Sequence, residues 1–157
     1  MHFPIIELTT KKKTKKEISE SSVEYDNATL NYFCDYYGEE YTQKDRKELI
    51  KDDYLKELFK GIADIDAGHE CVRFYSAKDI SDTLDRYYRE IAEKIVDTNE
   101  TGWLRFFSLR KYGENFRDSS IIFVVNDCPM TSMQFFEDCY HYADTVLYFG
   151  QIYDAHC

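Results

Sequence analysis

Apolar residues recur along this chain in two rhythms, and the switches between them mark the elements. Phe3 to Leu8 is a short apolar stretch of strand character. Leu30, Phe33, Cys34 and Tyr37 fall at i, i+3, i+4 and i+7. That spacing predicts a helix over 27–37, capped by Asp26 or Asn27 and stopped by Gly38. A second helix is predicted over 43–60. Thr42-x-x-Asp45 resembles a capping box, Ile50, Tyr54 and Leu58 form a stripe beside Leu55 and Phe59, and Gly61 ends it. Ile62–Asp66 and Glu70–Tyr75, joined by Ala67-Gly68-His69, read as a β-hairpin with Gly68 supplying the turn.

The longest helical pattern covers 77–97. Ser76 caps it, and Ile80, Leu84, Tyr87, Ile91 and Ile95 make one apolar face. Asp82/Arg86, Asp85/Arg89 and Glu90/Lys94 are acid-first pairs at i,i+4 along it. Trp103–Leu109 leans to a strand, and Ser120–Val125 is a β-branched run that predicts a buried one. Asp127-Cys128-Pro129-Met130 then reads as a turn into a short helix opened by Thr131-x-x-Gln134, with Thr145–Ile152 as a final strand. This order predicts an α+β fold: a helical N-terminal third, then a mixed or antiparallel sheet of about four or five strands with helices packed on it.

Composition narrows the class. The chain has 157 residues, 43% hydrophobic and 17% aromatic, with 14 Tyr, 6 Gly and 2 Pro, which excludes disordered and collagen-like sequence. The longest wholly apolar run, Ile121–Val125, is far short of the ~20 residues that span a bilayer, so no membrane partner is expected. The first residues carry neither a basic nor an apolar leader pattern, and the five cysteines include no C-x-x-C pair. Both features predict a cytoplasmic protein with free thiols.

Charge adds a division. Lys11, Lys12, Lys13, Lys15 and Lys16 crowd into six residues, which reads as an exposed lysine-rich loop. The chain therefore divides into a strand plus loop over 1–22 and a single α+β domain over 23–157. The net charge is −10, and from residue 23 onward 15 basic side chains face 27 acidic ones, a net of −12. Phosphates repel such a body, so direct nucleic-acid binding is disfavoured.

Motifs for chemistry are sparse. No phosphate-binding loop, nucleophile elbow or H-E-x-x-H motif is present, and no cofactor is expected. His69 and Cys71 would share a strand face as half of a metal site, while Cys139 and His141 point apart on a helix. No second matching pair stands beside them, so no metal is expected. Asp64 and Asp66 alternate on one strand face, more simply as edge-strand polarity. The enzyme alternative is a small cysteine-dependent one, with Cys128 as nucleophile and His69 or His141 as base.

The most unusual feature is acidic and aromatic. Asp35-Tyr36-Tyr37-Gly38-Glu39-Glu40-Tyr41 places three acids and three tyrosines in seven residues, and Glu24 and Asp26 lie just upstream. Tyrosine buries a large area with few rotamers, and spaced carboxylates attract Lys and Arg and fill grooves built for phosphate. Asp35, Tyr36, Glu39, Glu40, Tyr41, Glu24 and Asp26 are therefore the candidate partner-binding residues. The expected function is non-enzymatic: inhibition of a basic, nucleic-acid-binding protein by charge and shape mimicry. Inhibitors of the anti-restriction, anti-CRISPR and toxin-immunity kinds share this composition, though no motif here identifies one.

Overall fold

The computed structural model describes residues 2–20, 36–97, 121–126 and 128–156. Among them seven strands form one mixed sheet: β1 (His2–Thr9), β2 (Tyr36–Glu40), β3 (Ala63–Asp66), β4 (Cys71–Phe74), β5 (Ile122–Val125), β6 (Cys128–Thr131) and β7 (Val146–His156). The order is β3-β4-β7-β1-β5-β6, and β2 pairs with β7 beyond the end of β4. β1 and β5 run parallel, and the other described pairings are antiparallel. The helices are α1 (Lys15–Glu20), α2 (Gln43–Lys51), α3 (Asp53–Phe59), α4 (Ala77–Asp97) and α5 (Ser132–Asp138), with a 3₁₀ turn at Cys139–Tyr142. The fold is α+β in a single domain.

Period-two alternation places β1 at the centre. Ile6 and Leu8 join the main core, while Phe3 and Ile5 pack on the other face with Ile122, Val124, Tyr153 and Ala155. Burial on both faces explains why β1 and β5 read as continuous apolar runs. Aromatic rings hold the helices down: Phe59 of α3, Phe123 of β5, and Phe135 and Phe136 of α5 meet with centroids 4.4 to 5.9 Å apart.

Several expectations need correction. A helical N-terminal third is not clearly supported: among its described residues lie the central strand β1 and all of β2. Of the helix predicted over 27–37, residues 27–35 lie outside the described residues, but Tyr36 and Tyr37 belong to β2. Gly38, expected as a helix stop, is the extra residue of a bulge between Tyr37 and Glu39. Pairing with β7, a contact remote in sequence, overrides the local helical spacing. The helix predicted over 43–60 is two helices, because Asp52 turns extended (ψ 133°) and caps α3 by accepting from the Tyr54 N–H.

The sheet also exceeds the strand count expected. Cys128-Pro129-Met130 is not a turn but lies in β6, which pairs back on β5. The β3–β4 turn takes its positive φ at Glu70 (54°) rather than at Gly68. Trp103–Leu109 lies outside the described residues. In α4, Asp82/Arg86 and Asp85/Arg89 form no ion pair among the described residues.

The middle of β7 is irregular. Ile6 opposes Ile152 but Leu8 opposes Phe149, so β7 has an extra residue against β1. A bulge leaves backbone groups without ladder partners, and two buried charges take them. Arg46 of α2, fully buried, donates from Nη2 to the Phe149 carbonyl (2.7 Å) and from Nε to the Gly150 carbonyl (3.0 Å). Its Nη1 reaches Glu70 Oε2 at 2.6 Å. Buried Glu7 accepts from the Gln151 N–H (2.9 Å) at one oxygen and from Lys13 Nζ (2.6 Å) at the other. Gly150 makes room for this: a Cβ there would run into the Glu7 carboxylate.

Candidate functional site

The acidic, tyrosine-bearing segment is an edge. β2 pairs with β7 through Tyr36↔His156, Tyr37↔Ala155, Glu39↔Asp154 and Glu40↔Tyr153. Among the described residues no strand pairs with its other edge. The chain turns at once into α2. The Tyr41 N–H donates to the Ile152 carbonyl (2.9 Å), and Thr42 caps the helix by accepting from the Asp45 N–H.

This turn brings acids from distant parts of the chain together. The register sets Glu39 opposite Asp154 and Glu40 opposite Tyr153. Tyr41 is half-buried against the main core, and its phenol is pushed above its ordinary value by burial, then by Asp154 and Asp45. Among the described residues no cation lowers that value and Asp45 forms no ion pair. Asp154 and Asp45 thus both act on the Tyr41 phenol where the chain leaves β2.

Of the predicted site residues, Tyr36, Glu39 and Glu40 lie on β2 and Tyr41 follows them. Asp35, Glu24 and Asp26 lie outside the described residues. Asp45 and Asp154 are additions that sequence reasoning missed. Asp45 was legible, as the cap acid of Thr42-x-x-Asp45, but only strand register places Asp154 here.

The other candidates do not assemble. His69 is exposed and bonded through Nδ1 to Asp66 Oδ2 (2.7 Å), whereas Cys71 is buried, so the expected shared face is not formed. Among the described residues no three His, Cys, Asp or Glu side chains are grouped to hold a metal ion. Asp64 accepts from the Tyr75 hydroxyl (2.7 Å). Cys128 is exposed, and among the described residues neither His69 nor His141 bonds to it. An open cleft of about 450 Å³ is lined by Gly61, Tyr75, Asp79, Asp82, Thr83 and Arg86. Among the described residues no helix is long and apolar enough to cross a membrane. Comparisons with protein-family models, curated proteins and solved structures find no match to this chain.

Proposed function

We propose that this chain is a non-enzymatic, cytoplasmic binding protein whose acidic sheet edge docks on a basic, nucleic-acid-binding protein and inhibits it by filling its phosphate groove. One observation supports the reading: strand register sets Glu39 and Glu40 of β2 beside Asp154 and Tyr153 of β7, and Asp154 and Asp45 both act on Tyr41 at the turn that follows. Carboxylates spaced along a strand present the charge of a phosphate row, and tyrosines beside them supply contact area. Electrostatic steering then makes association fast and salt-sensitive.

The test is affinity capture of the tagged chain from a cell lysate, washed in parallel at low and high salt. A basic nucleic-acid-binding protein held at low salt and lost at high salt is the expected result. Glu39→Lys with Glu40→Lys abolishes that retention. A partner held equally by the parent and the double variant would overturn the assignment of this edge.

A further inference from the structure

The lysine run sits at the opposite end of β1 from the acidic edge. His2 opposes His156, the residue that also opposes Tyr36, whereas Thr9 opposes Tyr148. At ~3.3 Å per residue the two ends lie about 20 Å apart, so they form two separate surfaces.

Among the described residues the run is exposed at Lys11, Lys12, Lys15 and Lys16, with the last two in α1, and its backbone is tied down. The Thr9 hydroxyl donates to the Lys11 carbonyl (2.8 Å), and Lys13 turns inward to Glu7 (2.6 Å). Thr14 and Glu17 close a reciprocal cap on α1, with the Thr14 N–H donating to Glu17 Oε2 (2.6 Å) and the Glu17 N–H to the Thr14 hydroxyl (3.2 Å). These bonds anchor the backbone and leave the Lys11, Lys12 and Lys15 side chains exposed. None of the three forms an ion pair among the described residues.

Register extends the patch across the sheet. Cys71, like Thr9, opposes Tyr148, and Arg73 opposes Val146. Burial is the largest influence on the Cys71 thiol and pushes it up, and Arg73, Asp66 and Lys12 all act on it as well. Arg73 is exposed, its closest carboxylate being Asp66 at 3.5 Å. In a chain with 30 acids and 20 bases, three exposed lysines are left unpaired beside an arginine held only at that distance.

We propose that this anchored basic patch binds the phosphodiester backbone of a nucleic acid, through Lys11, Lys12, Lys15 and Arg73. Lysines meet phosphates as point charges and the guanidinium as a two-pronged donor. The acidic edge does not cancel the patch, because ~20 Å is about twice the screening length near 0.1 M salt. A membrane surface fits less well. The exposed large apolar side chains among the described residues, Tyr54, Tyr88, Met133 and Tyr140, lie on α3, α4, α5 and the 3₁₀ turn, so none of these stands on the lysine segment. This inference is independent of the acidic edge.

The experiment is fluorescence anisotropy of a labelled DNA duplex titrated with the full chain at several salt concentrations. Four phosphate contacts predict a slope of about −3 to −4 in log K against log salt, close to a hundredfold loss for a fourfold rise in salt. Lys11→Glu, Lys12→Glu and Lys15→Glu together weaken binding at least about tenfold at low salt and leave the melting temperature unchanged. Glu39→Lys with Glu40→Lys does not weaken DNA binding, so failure of this proposal and failure of the acidic docking edge read out separately. Absence of binding at low salt, or equal binding by the triple variant, would overturn the patch. Tighter binding to anionic phospholipid vesicles than to DNA would overturn its nucleic-acid assignment.

Discussion

Along β7 charge is used in two opposite ways within a few residues. At Phe149–Gln151 the charges are buried and spent inside the fold: Arg46 serves two carbonyls and Glu70, and Glu7 serves one N–H and Lys13. At Tyr153–His156 the neighbouring strand brings Glu39 and Glu40 alongside, with Asp154 opposed to Glu39 and Asp45 following. Charge of the first kind holds the bulge together and is not available to a partner. Charge of the second kind lies along the strand that the proposed docking uses.

The contrast breaks most visibly at Arg46. Arg46→Met leaves the Glu70 carboxylate and two carbonyls without their donor, and is expected to cost about 3–5 kcal/mol in a denaturant midpoint. Arg46→Lys does not restore it, because one ammonium on a flexible stem lacks the three-way fork. Next comes Gly150→Ala, which drives a Cβ into the Glu7 carboxylate and is expected to cost about 1–3 kcal/mol. Combined with Glu7→Ala, the loss is smaller than the sum of the two single losses, since removing the carboxylate removes the clash.

A third effect appears only in acid. The Asp66 carboxyl is held down to about 2, first by the His69 backbone N–H, then by the His69 ring, with Arg73 contributing less. Its folded value lies below the unfolded one, so its stabilisation is present above the ordinary carboxylate range. That stabilisation is lost as pH falls from about 4 through about 2. Asp66→Asn flattens this acid limb of a stability–pH curve. At the alkaline end the sign reverses for Tyr41, whose raised value makes stability fall as pH rises above the ordinary phenol range. Asp154→Asn moves that phenol part of the way back, burial being the larger cause, and a spectrophotometric titration reads the shift.

Much of this architecture is written locally. The alternation in β1, the Ser76 cap and apolar stripe of α4, and the reciprocal Thr131/Gln134 cap of α5 are each carried by a few adjacent residues. Other features were written but went unread. Thr14-x-x-Glu17 is a capping box inside the lysine run, Asp52 is a helix cap, and Arg46 sits one turn before Ile50 on the buried face of α2. A cation on an apolar stripe signals a buried ion pair. What local sequence does not contain is the pairing of β2 with β7. Tyr36 and Tyr37 suit either a strand or the helical spacing, and only hydrogen bonds to residues more than 110 positions away decide. The same remote register makes Asp154 part of the acidic edge, so the site was half legible: its residue types were visible, its geometry was not.

The smallest effect on stability is also the most telling. Glu39→Lys sets a cation opposite Asp154 in the register, expected to add about 0.2–1 kcal/mol. The most direct measurement is therefore low-salt capture by the Glu39→Lys, Glu40→Lys variant beside the parent, with melting recorded on both. The account predicts a variant that melts no lower than the parent yet loses the basic partner the parent retains. Equal retention by both, with both folded, would contradict it.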